Sequence, residues 1–191
     1  MSLCHSTRVD WSSGSALLRG RYVGIEPLSE LHIQPLEETL RDDSAAAVDE
    51  NVPPPANVRA YVGGALIDHA NGLSVPFALR DSMGTIVGSA RYMDLSDKRL
   101  EIGHGWCVPR AKHIAFETAL LLLTHAFESM GCDEVKLEVP WMGHEPGQWL
   151  LAKHSRTIGS HSSLLCERDW PGIRRLLRAE VDNSLKPELA Y

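Results

Sequence analysis

The 191-residue sequence lacks several features that would assign it to a class of protein at once. Its histidines show no spacing typical of metal ligands, and it contains no CxxC pair among Cys4, Cys107, Cys132 and Cys166. No apolar run approaches the ~20 residues that cross a bilayer. The net charge of −6 leaves no excess of basic residues for electrostatic binding of nucleic acid. We therefore expect reduced thiols, a cytoplasmic location, and no metal, nucleic-acid or membrane partner.

The composition is that of one soluble globular domain, with 43% hydrophobic and 23% charged residues. The first 15 residues are polar and contain no apolar signal core. The sequence predicts a flexible tail at 1–15, a single domain over 16–180 and a C-terminal tail at 181–191.

Hydrophobic periodicity and turn residues predict a mixed set of strands and helices. In chain order they are a strand at 16–28, a helix at 29–42 interrupted by Pro35, a helix at 57–72, a hairpin within 75–95, a strand at 99–108, a helix at 113–130, a strand at 134–140, a weaker strand at 157–165 and a closing helix. The strand, helix and strand over 99–140 are long enough for a parallel crossover. The predicted fold class is α/β (α+β), a mostly antiparallel mixed sheet flanked by helices.

In this order, "PFALRDSMGTIVGSARYMDL" and "LEIGHGWCVPRAKHIAFETALLLLTHAFESMGC" resemble the central hairpin and the strand, loop and helix of the GNAT-type N-acetyltransferases. The branch that the chain most resembles contains the ribosomal-protein-alanine acetyltransferases. The resemblance implies transfer of an acyl group from acetyl-CoA, or another acyl-CoA, to an amine. The acceptor would be a protein N-terminus or a small molecule.

In that superfamily a Q/R-x-x-G-x-G/A loop surrounds the pyrophosphate of CoA, because unpaired amides at a helix N-terminus favour anions. The matching positions are Arg110, His113 and Ala115, so the central glycine is a histidine here. His113 is either a phosphate donor or an ordinary helix residue. The resemblance implies a cofactor-binding segment made of Cys107, Val108, Arg110, Ala111, Lys112, His113, Ile114 and Ala115.

Acyl transfer to an amine needs a base, and the strand before this loop supplies two candidates. Glu101 is the first choice and His104 the second. Strand alternation places Glu101 on one face with Gly103, Gly105 and Cys107, and His104 on the other. A bulge at Gly103 or Gly105 would change that arrangement. The candidates for a proton donor to the leaving thiolate are Tyr92, Ser160, Ser162 and Ser163.

The segment after the strand at 134–140 departs from the branch. Gly143 and Pro146 stand where the resemblance leads one to expect an asparagine and a serine, and the connection is short by roughly one strand. These departures favour an alternative, a GNAT-fold protein that binds a ligand or partner without acetyl transfer. A second subunit would supply a missing strand, so a homodimer is compatible with the sequence.

Overall fold

A computed structural model describes residues 17–42, 52–96, 98–108, 112–138, 156–158 and 162–183. Both predicted tails lie largely outside these ranges. The strands are β1 (Leu18–Arg19), β2 (Val23–Pro27), β3 (Ser74–Asp81), β4 (Ile86–Met93), β5 (Arg99–Cys107), β6 (Glu134–Glu138), β7 (Arg156–Ile158) and β8 (Ser162–Cys166). The helices are α1 (Ile33–Asp42), α2 (Val58–Ala70), α3 (Lys112–Thr124), continued by a π-helical turn (His125–Ser129), and α4 (Trp170–Asn183).

The described strands form one eight-stranded sheet in the order β1-β2-β3-β4-β5-β6-β8-β7. Neighbouring strands are antiparallel except β5 and β6, which pair in parallel across the α3 crossover. The predicted fold class is thus confirmed. The predicted hairpin is present as β3 and β4, whose turn is closed by the Asp81 carboxylate on the N–H groups of Met83 and Thr85.

Two predicted strands are wrong in detail. The strand predicted at 16–28 is a hairpin, because the chain turns at 20–22 and β1 folds back on β2. The strand predicted at 157–165 is the pair β7 and β8. The sheet therefore gains both strands beyond β6 from this chain, and the expectation of a missing strand is wrong.

Helices cover both faces of the sheet and enclose a separate core on each. One core lies between the sheet and α3 and α4, and includes Leu100, Ile102 and Tyr92. The other lies between the sheet and α1 and α2, and includes Ala78 and Trp106. Pro35 does not break α1, since it is the third residue of the helix, where a missing N–H costs no intrahelical bond.

Candidate active site

A bulge in β5 is the central irregularity of the sheet. Ser89 pairs with Trp106 and Arg91 with Gly103, so two residues of β5, His104 and Gly105, stand opposite one residue of β4. His104 has a φ of 48°, in the left-handed region that non-glycine residues seldom adopt. The structure thus contains a bulge between the two glycines that the sequence offers as hosts for one, but the left-handed residue is His104 and neither glycine. Such outliers cluster at functional sites.

The bulge reverses the facing of the residues that follow it. Leu100 and Ile102 belong to the α3/α4 core, so Glu101 between them faces the α1/α2 side. After the bulge Trp106 belongs to the α1/α2 core and Cys107 to the α3/α4 core. The prediction that Glu101 and Cys107 share a face is therefore wrong, because simple alternation does not survive the extra residue.

Within the described residues, the β5–β6 ladder ends next to the bulge. Their ladder runs from Arg99–Glu134 to Ile102–Leu137, and the remainder of β5 has no β6 partner among the described residues. The N–H of His104 instead donates to Oε2 of Glu138, over 2.8 Å. A backbone N–H held by a side chain, and not by a neighbouring strand, can exchange that partner for a ligand. We call this opening, bounded by Gly103, His104 and Glu138, the mouth.

Gly103 makes room for the Glu138 carboxylate. A Cβ on Gly103 would stand 2.8 Å from Oε2 of Glu138 and 2.6 Å from Cε of Met93. Real Cβ atoms do not approach so closely, so the position excludes every larger residue unless these side chains move. The sequence does not single out Glu138 as a site residue, although Glu134, Lys136 and Glu138 share the polar face of an alternating strand. Only the register with β5 shows that Glu138 reaches the mouth.

Glu101, the first-choice base, is held in an ion pair. Its Oε2 lies 2.8 Å from Nζ of Lys136, directly across the β5–β6 ladder, and Glu101 is only 5% exposed. The hydrogen bond with Glu101 is the largest cause that raises the pKa of Lys136, and the charges of Glu138 and Asp94 add to the effect. The Glu101 carboxylate is therefore already paired with the Lys136 ammonium, whereas His104 is exposed.

The residues predicted to hold CoA converge on the start of α3. Cys107, Ile114 and Ala115 are buried in the α3/α4 core and Val108 in the α1/α2 core, so their side chains serve packing. Lys112 begins α3, whereas Arg110 and Ala111 lie outside the described residues. The ring of His113 packs edge-on against Tyr22, with 5.1 Å between centroids. His113 thus contacts the β1–β2 turn.

That turn is tied to α3 by Glu117. The carboxylate of this buried residue accepts the N–H groups of Arg21, Tyr22 and Val23 at 2.8, 2.6 and 2.9 Å. A Cβ on Gly20 would stand 2.3 Å from the carboxylate carbon, so glycine is needed beside it. These bonds fix the N-terminal half of α3 against the edge of the sheet.

A polar cluster beside the mouth also escaped the sequence analysis. Tyr61 of α2 receives a hydrogen bond from Nε1 of Trp106 and donates one to Ser89, which in turn donates to the carbonyl of Phe77. The guanidinium of Arg91 lies 4.7 Å from the centre of the Tyr61 ring. No short sequence motif connects these residues, because α2 and the sheet meet only in the folded chain.

The remaining candidates are divided between the two faces and the residues outside the described ranges. Tyr92 lies in the α3/α4 core, where its hydroxyl donates to the carbonyl of Leu122 and burial raises its pKa well above 10.0. Ser162 pairs with Glu138 across the β6–β8 ladder and Ser163 is buried. Ser160, Gly143 and Pro146 lie outside the described residues.

Within the described ranges no group of three or more His, Cys, Asp or Glu side chains is arranged to hold a metal ion, and no helix there is long and apolar enough to span a membrane.

No family model and no curated protein matches the sequence. Solved structures do match the fold. A GCN5-related N-acetyltransferase from Brucella melitensis superposes with a TM-score of 0.66 at 18% identity, covering 90% of this chain and 86% of that one. RimJ from Mycobacterium smegmatis, solved with CoA-disulfide, gives 0.61 at 14% identity, covering 82% and 88%. FdhC, a nucleotide-linked sugar GNAT, gives 0.64 at 14% identity, covering 86% and 97%. The chain therefore has the fold of these GNAT structures.

Proposed function

We propose that the protein is an acyl-CoA-dependent N-acyltransferase, with acetyl-CoA as the donor and an amine as the acceptor. The observation that carries this proposal is the mouth, where β5 bulges beside the last described pair of the β5–β6 ladder and directs the His104 N–H toward Glu138. An acyl thioester lying against β5 would place its carbonyl oxygen near this N–H. Backbone N–H groups held in that way stabilise the oxyanion that develops in acyl transfer.

The mouth also supplies a base. Glu138 lies beside the His104 amide, whereas Glu101 is engaged by Lys136 at 2.8 Å. In the proposed reaction Glu138 accepts a proton from the acceptor ammonium, directly or through water. The amine then attacks the carbonyl carbon, the oxyanion rests on the His104 N–H, and the carbon–sulfur bond breaks. The attacking nitrogen gives its second proton to the departing thiolate, directly or through water, so that CoA leaves as the thiol. Ser162, which pairs with Glu138 across the β6–β8 ladder, and the His104 imidazole are candidates to relay this proton.

Glu101 and His104 keep defined roles in this scheme. Glu101 holds Lys136 against the polar face of β6, and His104 supplies the amide by virtue of its left-handed backbone. The cofactor-binding segment 107–115 would hold the pyrophosphate through amides at the start of α3, where unpaired N–H groups and the helix dipole favour anions.

One observation favours the alternative, a GNAT-fold protein that binds without transferring. The His104 amide is already occupied by the Glu138 carboxylate, so an acyl carbonyl has to displace that carboxylate. If the Glu138 carboxylate is not displaced from the His104 N–H, the protein could still bind a ligand but could not stabilise the oxyanion of acyl transfer.

The first experiment is a calorimetric titration with acetyl-CoA, with free CoA as the comparison. Micromolar binding of both supports the proposal, and absence of binding at high ligand concentration overturns it. A screen of amine acceptors for thiol release then tests turnover. Binding without release above background would support the alternative.

Two variants of Glu138 separate its roles. Glu138→Gln retains an acceptor for the His104 N–H but cannot act as a base, so we expect kcat to fall by about 10²–10⁴-fold with little change in acetyl-CoA affinity. Glu138→Ala also frees the amide, so we expect the same loss of kcat with tighter acetyl-CoA binding. Glu101→Gln is the matched control. A loss of kcat confined to Glu101→Gln would transfer the base role to Glu101.

A further inference from the structure

Arg91 is a buried cation beside the mouth whose bonding is incomplete. It pairs with Gly103 across the β4–β5 ladder, next to the bulge, and its side chain is 9% exposed. Its Nε has no hydrogen-bond partner among the described residues. An unsatisfied donor on a buried charge is costly, and such groups in folded proteins call for an explanation.

Asp68 of α2 is the ion-pair partner, and the pair is poorly formed. Oδ2 of Asp68 stands 3.6 Å from Nη1 of Arg91, and the Asp68 side chain is 45% exposed. Arginine and carboxylate normally meet through two parallel N–H···O bonds of about 2.7–2.9 Å. Asp68 therefore lies where an oxyanion would bind Arg91 but makes only a long contact with it. Because the Asp68 side chain is partly exposed, its carboxylate can rotate toward solvent at little energetic cost.

We propose that Arg91 binds an anionic group of the acceptor, a carboxylate or a phosphate, which takes the place of Asp68. This inference rests on the proposed function and names the substrate class, an amine that also carries an oxyanion. Cζ of Arg91 lies over the Tyr61 ring, 4.7 Å from its centre, so the ring restrains the position of the guanidinium.

The charges around the mouth suit a ligand of this kind. Glu138 and Arg91 lie on either side of Gly103, because Glu138 covers the Gly103 Cα on the β6 side and Arg91 pairs with Gly103 on the β4 side. The ammonium of the acceptor would meet the Glu138 carboxylate, and its oxyanion would meet Arg91. A neutral amine would gain no interaction with Arg91 and would leave its Nε donor as unsatisfied as in the free protein, so the anionic acceptor is expected to bind more tightly.

The test compares matched acceptors that differ only in the oxyanion: β-alanine against β-alaninamide, and phosphoethanolamine against ethanolamine. Turnover with acetyl-CoA gives kcat/KM for each, and calorimetry on the protein without acyl donor gives binding. We expect the anionic member of at least one pair to be preferred by roughly 10- to 100-fold. The pair that shows the preference distinguishes a carboxylate from a phosphate.

Three variants complete the test. Arg91→Gln should abolish the preference, whereas Asp68→Asn should increase affinity for the anionic probe, because the internal competitor is gone. Arg59→Gln, which removes an exposed arginine from the same helix, should change neither. A purely structural role for Arg91 predicts loss of stability in both Arg91→Gln and Asp68→Asn and no change in the anionic-to-neutral ratio.

The outcomes for this inference and for N-acyl transfer are distinguishable. If an anionic probe binds in a way that depends on Arg91, but no amine causes release of CoA thiol from acetyl-CoA, the proposed acyl transfer is overturned and the anion site is supported. Equal use of charged and neutral amines supports the transfer and overturns the anion site. If Arg91→Gln does not fold, Asp68→Asn decides alone, and an unchanged affinity for anionic probes contradicts the proposal.

Discussion

At the scale of single residues, the functional region depends on carboxylates that bind backbone amides. Glu138 holds one N–H at the mouth and Glu117 holds a row of N–H groups in the β1–β2 turn. Hydrogen bonds of this type are stronger than those between neutral groups. The two carboxylates differ in exposure, since Glu117 is 6% exposed whereas Glu138 is half-buried. We therefore assign a structural role to Glu117 and expect Glu138 to be able to exchange its hydrogen-bond partner.

Glu117→Gln should therefore destabilise the protein. Replacing the carboxylate by an amide removes the charge and one acceptor oxygen, so we expect the free energy of unfolding to fall by roughly 2–3 kcal/mol. Urea unfolding measures the change. Glu30→Gln, at an exposed carboxylate, serves as the control and should stay within about 0.5 kcal/mol of the parent. An equal effect of the two substitutions would contradict the role given to Glu117.

His125 should make stability depend on pH. Burial lowers its pKa from 6.5, and its ring stacks on Tyr92 at 6.0 Å. Above pH 6.5 the residue is neutral in both states; below it the unfolded chain takes up the proton more readily, so stability falls as pH falls. Urea unfolding at pH 7.5 and 5.5 tests this. The drop should be smaller in His125→Gln, and an unchanged drop would mean that other groups cause it.

At the scale of elements, α2 combines a sheet-facing polar side with a weak helical interior. It carries Tyr61 and Asp68, which meet Arg91, yet Gly63 and Gly64 lie in its middle with open space where a Cβ would stand. Glycine is less favourable than alanine inside a helix because it loses more backbone freedom on folding. The helix that presents the proposed anion site is thus less stable than its length permits.

Gly64→Ala should stabilise the protein by about 0.5–1 kcal/mol, because no neighbour is displaced and less entropy is lost. Thermal unfolding measures the gain. Gly84→Ala gives the opposite expectation, since Gly84 has a φ of 92° in the β3–β4 turn, where a Cβ is strained. A loss of stability in Gly64→Ala would show that α2 needs the glycine for a contact outside the described residues.

Elements with local signals were predictable from the sequence, whereas their long-range registers were not. The β3–β4 hairpin follows from Asp81 to Gly84, and the parallel β5–β6 pair follows from the length of the α3 crossover. The mouth could not be predicted in this way, because it depends on contacts between residues far apart in the sequence. Glu138 reaches His104 across 34 positions of sequence, and Glu117 reaches Tyr22 across 95. Such contacts depend on how strands align, which hydrophobic alternation alone leaves open.

At the scale of the whole molecule, the sheet joins two cores that a single ligand would stabilise together. Trp170 lies in the α3/α4 core and Trp106 in the α1/α2 core, and β5 contributes residues to both. The mouth lies on β5 itself. A ligand bound there would contact the strand that both cores share, so we expect it to stabilise both sides of the sheet.

Acetyl-CoA should accordingly stabilise the entire domain in one transition. A ligand that binds only the folded state raises the free energy of unfolding by about 2.7 kcal/mol at roughly 100 times its Kd. Far-UV circular dichroism and tryptophan fluorescence should report the same shift in urea midpoint, and Glu138→Ala should show a larger shift at equal ligand concentration because its His104 amide is free. A shift seen by only one probe would mean that the two cores unfold separately and that the mouth does not couple them.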